Sequence, residues 1–314
     1  MKNKILVLGK GFIGTRIKES LCCDSSDTRI TSYRDALKVI QKFKPHTIIN
    51  CIGHIGKNVD YCELDKDKTL LANSFVPVIL AEVALRNNIK LVHVSSGCIY
   101  HYDYALDKPL TEERVPDFFS LFYSRTKIYS EAALSILART YPVLILRIRI
   151  PLDNRPYVKN LLTKLTGFPG VIDLPNSVTY IPDFIEALKH LLSINACGIF
   201  NVVNKGGLRY PELLDVYKRY VPDFSYRVID CKKLRLVRTN LLLSTRKLEH
   251  SGFAVRSIHD CLDECVRQYC GLLHTQRSRC GRKPRTGQSA ATSGVPANHL
   301  WRGANKSGCK GGPV

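Results

Sequence analysis

Between Gly271 and Val314 the chain has no acidic residue, although it carries eight lysines and arginines there. It has one methionine, one tryptophan and no Cys-x-x-Cys pair. No apolar run reaches the ~18–20 residues that cross a bilayer, so no membrane-spanning segment is expected. Met1-Lys2-Asn3-Lys4 leads straight into Ile5-Leu6-Val7-Leu8 without a cleavage pattern, which argues against a secretory signal and makes the cytoplasm the expected compartment. The twelve cysteines lack the compact spacing of a secreted disulfide framework and read as thiols. Cys261, Cys265 and Cys270 fall on one C-terminal helix, and zinc there would need a fourth ligand such as Cys280. With no Cys-x-x-Cys pair to anchor such a site, no metal is expected.

The net charge of +20 raises nucleic acid as a partner. Its distribution weakens that reading. Residues 271–314 are rich in Gly, Ser, Pro and Thr and lack apolar periodicity, which predicts a solvated, disordered tail. The sharper alternative is a weak electrostatic contact of this tail with nucleic acid or anionic lipid.

At 314 residues the chain is long enough for one large domain or two intimate ones. Strand and helix signals alternate through the first half. Strands are expected at Lys4 to Leu8, Thr28 to Tyr33, Thr47 to Ile52, Lys90 to Ser96 and Val143 to Ile150, with helices at Ile13 to Cys22, Thr69 to Arg86 and Ser120 to Tyr141. This alternation predicts an α/β fold, a Rossmann-type doubly wound parallel sheet over residues 1–150. Residues 151–270 form a smaller, partly interleaved substrate region, with a strand near 198–203 returning to the sheet. The basic tail is 271–314.

Gly9-x-Gly11-x-x-Gly14 follows a strand and opens a helix, the context of a dinucleotide fingerprint. The N–H groups of Phe12 and Ile13 would then face the phosphates at the helix N-terminus. Arg34 after the second strand favours a ribose 2′-phosphate, hence NADP(H), while the adjacent Asp35 keeps NAD(H) open. Tyr123 and Lys127 stand four apart on a helix and so share a face. A phenol beside an ammonium is a proton donor or acceptor for a substrate oxygen, with the cation favouring the phenolate. Ser96, at the end of the fourth strand, completes a Ser/Tyr/Lys set.

Gly9, Gly11 and Gly14, Asn50-Cys51-Ile52-Gly53, Ser96 and the Tyr123/Lys127 pair together resemble the extended short-chain dehydrogenase/reductases that modify sugar nucleotides. The resemblance covers residues 4–270. Phe118 to Lys127, Gly97 to Asp103, Asn58 to Glu63, Leu146 to Pro151 and Leu174 to Thr179 narrow it. These segments are similar to the nucleotide-rhamnose synthase group of epimerase/reductases, related to dTDP-4-dehydrorhamnose reductase. The resemblance implies 3,5-epimerisation of an NDP-4-keto-6-deoxyglucose followed by NADPH-dependent reduction at C4. It places Asn50, Cys51 and Gly53 at the cofactor, makes Cys98 and Lys164 the epimerisation acid/base pair, and has Asn73 help hold a proton-relay water. Asn176 and Arg238 would lie near the substrate's nucleotide. For Cys98 the alternative is a small buried hydrophobe, and for Lys164 a solvated helix lysine.

Sugar-nucleotide 4,6-dehydratases of this superfamily carry an Asp-Glu pair directly after the catalytic hydroxyl residue. Here those positions are Gly97 and Cys98. The 4-keto substrate is therefore expected from a separate dehydratase. Alternatives are a reductase without epimerase activity and a non-catalytic regulatory subunit of the same fold. A homodimer is compatible with the sequence.

Overall fold

The computed structural model describes residues 4–231 and 237–280, with side chains to Thr275. The remainder of the expected tail, 281–314, lies outside the described residues.

Five strands arise in the first half: β1 (Ile5–Leu8), β2 (Asp24–Ser26), β3 (Thr47–Asn50), β4 (Lys90–Ser96) and β5 (Val143–Ile148). With β9 (Gly198–Asn201) they form a six-stranded sheet in the order β2-β1-β3-β4-β5-β9, and every pairing is parallel. Strand side chains alternate between faces, and the two cores sort accordingly. Leu6, Leu8, Ile48, Leu91 and Ile145 pack against α2 (Tyr33–Phe43), α5 (Val76–Arg86) and α6 (Phe122–Leu137). Val7, Ile49, Val92, Leu144 and Leu146 face α1 (Phe12–Leu21) and α8 (Ile181–Ser193) on the other side. This is the doubly wound sheet expected from the alternating pattern.

The second strand is displaced from its expected place. β2 ends at Ser26, and the stretch read as strand, Thr28 to Tyr33, is the lead into α2. Ser32 caps that helix by accepting from Asp35 N at 3.2 Å, while the Asp35 carboxylate accepts from Ser32 N at 3.1 Å. This capping box outweighs the weak alternation of Thr28 to Tyr33. Arg34 sits exposed on the first turn of α2. Asp35 serves as the N-terminal cap of that helix.

The helix expected from Thr69 to Arg86 starts earlier and is broken in kind. Two short helices, α3 (Tyr61–Leu64) and α4 (Lys66–Leu70), lead into a π-helical turn, Leu71–Phe75, and then α5. Lys66–Arg86 as a whole is long and apolar enough by length and composition to cross a membrane, but half of it is buried within the fold, as in a core helix.

Beyond β5 a smaller core forms. The pairs β6 (Pro151–Leu152) with β8 (Thr179–Tyr180), and β7 (Val171–Ile172) with β10 (Val228–Ile229), frame it. Apolar faces of α7 (Leu161–Leu165), α9 (Tyr210–Tyr220) and α11 (Ile258–Cys280) fill it. Cys261, Cys265 and Cys270 are buried in this core, with Cys261 Sγ also 3.3 Å from Asp183 Oδ2 and Cys265 Sγ 3.5 Å from the Asp153 carbonyl. The short α10 (Arg246–His250) lies against β9. The helix α11 runs ten residues past the boundary expected at 270.

Candidate active site

Ligands of open parallel sheets bind beyond the carboxyl ends of the strands, and the sequence-marked residues collect there. After β1, Gly9 has φ +93, and a Cβ on it would stand 2.9 Å from the Cys51 backbone. A Cβ on Gly14 would stand 1.9 Å from the Gly9 carbonyl oxygen, so both positions need glycine. A Cβ on Gly11 meets nothing within 4 Å. This open cradle lies at the start of α1, whose first N–H groups, those of Phe12 and Ile13 among them, have no partner within the helix. A dinucleotide pyrophosphate fits there. The Phe12 ring itself stacks on Tyr157, with centroids 4.8 Å apart.

Beyond β3, Asn50 is fully buried. Its Oδ1 accepts from Ile52 N at 3.0 Å and its Nδ2 lies 3.1 Å from His93 Nδ1. Asn50 therefore shapes the turn, with its side chain directed inward. Cys51 packs beside Gly14, and burial pushes its thiol up to about 12. The fully buried Asn73, on the π-helical turn, accepts from His54 N at 2.7 Å and donates to His54 O at 3.0 Å and Thr126 Oγ1 at 3.3 Å. Both of its amide protons are used in pinning the loop after Gly53 to α6. Its side chain is thus a clamp. Interrupted helices of this kind are frequent at functional sites.

Ser96 ends β4, and its Oγ accepts from Cys98 N at 3.1 Å. The Tyr123 phenol lies close enough to Ser96 for the serine side chain to favour its ionised form. Next to it, Ser124 Oγ donates to the Cys98 carbonyl at 2.6 Å, tying the start of α6 to the turn after β4. Burial raises the Tyr123 phenol above its ordinary value, reinforced by nearby Cys98, while Ser96 and Arg149 work the other way. Lys127 is directed at the turn after β3, its Nζ 3.8 Å from where a Gly53 Cβ would stand. Burial depresses its ammonium to about 8, with Glu131 one turn further along α6 opposing the shift. The protonated phenol is the form that can donate.

The residue that sequence reading passed over is Arg149. It directly follows β5, is 1% exposed, and reaches three segments. Its Nη1 donates to Cys98 Sγ at 2.7 Å and to Thr239 Oγ1 at 2.9 Å, and its Nη2 and Nε both donate to Asn176 Oδ1, at 2.9 and 3.2 Å. Asn176, expected near the substrate, is fully buried and spends its carbonyl on Arg149 and its Nδ2 on Asn240 Oδ1 at 2.7 Å. It supports the guanidinium. Tyr210, at the start of α9, feels the fields of both Arg149 and Cys98, and burial raises its phenol. Gly97 makes room for this packing: a Cβ there would stand 2.7 Å from Leu243 Cδ1 and 3.4 Å from Arg149 Cδ. The only signal for Arg149 was the Arg-x-Arg spacing at the end of β5.

Arg238 is committed too. It forms a two-pronged ion pair with Asp60, at 2.8 and 2.6 Å, joining the segment before Asn240 to the loop after β3. Lys164, in the last turn of α7, is half-buried; its ammonium makes no described hydrogen bond or ion pair, and it shares no described contact with Cys98. Burial lowers its ammonium, and Lys159 adds a like-charge push in the same direction.

The sheet, the glycine cradle and the Ser96/Tyr123/Lys127 set define a dinucleotide-binding protein of the short-chain dehydrogenase/reductase type. The chain belongs to the RmlD substrate binding domain family, which matches residues 4–168. It is 29% identical over 282 residues to a trifunctional UDP-glucose 4,6-dehydratase/UDP-4-keto-6-deoxy-D-glucose 3,5-epimerase/UDP-4-keto-L-rhamnose-reductase of Arabidopsis thaliana. That match takes in 84% of this chain and 42% of the plant enzyme, so the chain spans under half the length of that relative. A bifunctional dTDP-4-dehydrorhamnose 3,5-epimerase/dTDP-4-dehydrorhamnose reductase of the same plant is 29% identical over 249 residues, 76% of this chain and 82% of the relative. Among solved structures, the UDP-rhamnose synthase of Acanthamoeba polyphaga mimivirus shares the fold. It has a TM-score of 0.78 at 24% identity, covering 84% of this chain and 99% of that one.

Proposed function

We propose that the protein is an NADPH-dependent 3,5-epimerase/4-reductase that converts an NDP-4-keto-6-deoxyglucose to NDP-L-rhamnose. The observation that carries the reading is the convergence of Ser96, Tyr123 and Cys98 at one strand end, with Arg149 bonded to the sulfur. Support also comes from the similarity to the plant bifunctional enzyme over 82% of its length. When bound, NADPH supplies the hydride that reduces C4. The glycine cradle and the first turn of α1 would hold its pyrophosphate, and Lys127 its nicotinamide ribose.

In this reading the chain's own residues handle protons and charge. C3 and C5 flank the C4 ketone, so removal of either proton gives an enolate whose oxygen Ser96 and Tyr123 hydrogen-bond. Cys98 takes the proton on one face and Lys164 returns one on the other, inverting the carbon. In the reductive half, Tyr123 donates its proton to O4. The 4-keto substrate comes from a separate 4,6-dehydratase, because positions 97 and 98 carry no acid pair.

A reductase without epimerase activity is the second reading, favoured by the lack of any described contact joining Lys164 to Cys98. One experiment separates them. NADPH oxidation is followed with UDP- and dTDP-4-keto-6-deoxyglucose, and product stereochemistry is read by NMR. An L-rhamnose product supports the bifunctional reading. Turnover only of the pre-epimerised 4-keto-L-rhamnose nucleotide supports the reductase, and no oxidation with any 4-keto sugar nucleotide overturns both.

A further inference from the structure

We propose that Arg149 is a positioning residue for Cys98, the fixed counter-charge that keeps its sulfur available as a base. The inference rests on the reading of Cys98 as the proton-transfer group in epimerisation. Buried arginines elsewhere in the fold have carboxylate partners: Arg16 donates to Asp153 at 2.8 Å, and Arg147 Nε to Glu131 at 2.9 Å. Arg149, equally buried, has no carboxylate within ion-pair distance among the described residues. Its partners are the Asn176 amide oxygen, the Thr239 hydroxyl and carbonyl, and Cys98 Sγ. A buried charge without a counter-charge is costly. Of those four acceptors only the sulfur can become a full anion.

The charged and titratable groups facing Cys98 point the same way. They are Arg149 after β5, Tyr123 and Lys127 on α6, and Tyr210 opening α9. Two are cations and two are phenols, and no carboxylate is among them. A thiolate beside a guanidinium is favoured over the thiol, and the hydrogen bond becomes charge-assisted.

The backbone fixes the arrangement. Ile150, next to Arg149, has φ +36, a left-handed conformation that a β-branched residue rarely adopts. Such an outlier persists only where its surroundings over-determine it. Asn176 and Thr239 grip the guanidinium on one side, and the missing Cβ of Gly97 admits its methylenes on the other.

The chemical step balances without a co-reactant. The C3–H or C5–H bond breaks and an S–H bond forms. The electron pair passes into the enolate, so negative charge moves from the sulfur to the C4 oxygen held by Ser96 and Tyr123. Arg149 does not exchange a proton.

The test is alkylation of Cys98 by iodoacetamide, read by mass spectrometry of its peptide, in the wild type, Arg149→Gln and Arg149→Lys. Deuterium wash-in at C3 and C5 of the 4-keto sugar nucleotide is measured in parallel, without NADPH. At neutral pH the wild type should react faster than a free thiol. Arg149→Gln should be roughly tenfold slower or more at neutral pH and approach wild type at alkaline pH, with Arg149→Lys between them. Wash-in should fall in the same order. A wild-type rate at neutral pH no faster than a free thiol's overturns the proposal even if Arg149→Gln does not fold, as do equal neutral rates in wild type and Arg149→Gln. If the alkylation pattern stands and wild type shows no wash-in, the pairing holds and the epimerisation reading falls.

Discussion

The two sides of the candidate site are built differently. On the cofactor side, Gly9, Gly11 and Gly14 fall within six residues, and Tyr123 and Lys127 lie one helical turn apart. On the opposite side, Arg149 reaches Cys98 across 51 positions, Asn176 across 27 and Thr239 across 90. The first side is local secondary structure used directly. The second exists only after the smaller region has folded against the end of β5. Cofactor geometry comes with the fold, while the proton chemistry depends on how the two parts of the chain meet.

That contrast can be broken by experiment, and the largest effect is expected at Tyr123. Tyr123→Phe removes the phenol proposed to protonate O4 and should slow reduction of the pre-epimerised 4-keto sugar by ~10²–10⁴-fold. A variant within threefold of wild type would assign the donor elsewhere. Cys98→Ala should act on one side only. We expect L-rhamnose formation from the unepimerised keto sugar to drop by about 10²-fold, with a smaller loss when the pre-epimerised sugar is supplied. Equal losses with both substrates would erase the distinction between the sides.

A third prediction concerns pH. Lys127 has a folded value of about 8 against an ordinary 10.5. Its charge is present below about pH 8 and lost above, so binding of the cofactor ribose should weaken as pH rises through 8. The stability contribution has the opposite sign. Between those two values the unfolded chain holds the extra proton, so stability rises with pH. Falling kcat/KM with a steady or rising Tm over this window is the expected pattern, and a parallel fall in both would refute it. The smallest effect is expected at Asp60→Asn. Its ion pair with Arg238 is partly exposed, and losing it should change stability by no more than ~1 kcal/mol, measured by denaturant unfolding.

How much was legible follows the same division. The parallel sheet could be read because runs such as Ile5 to Leu8 and Val143 to Ile148 are buried on both faces and nearly continuous in apolar residues. The glycine cradle could be read because its constraints are steric and local. The second strand was misplaced because Thr28 to Tyr33 alternates like a strand, while the Ser32/Asp35 capping box decides for a helix. The clamp formed by Asn73 could not be read, since its partners His54 and Thr126 are 19 and 53 residues away. The π-helical turn beneath it leaves no trace in apolar spacing. Arg149 was the largest omission. Two arginines at an apolar strand end give no sign of which one a carboxylate waits for.

Gly97 has a consequence for how such a site can change. The space beside its backbone is filled by Leu243 and the stem of Arg149. A single exchange that put an acid at position 97 would strike both, and an acid at 98 would face the guanidinium directly. A step toward dehydration from this sequence would therefore have to alter the end of β5 and the segment around Leu243 together. The packing works as a ratchet, and the present chemistry is easier to lose than to exchange for its neighbour's.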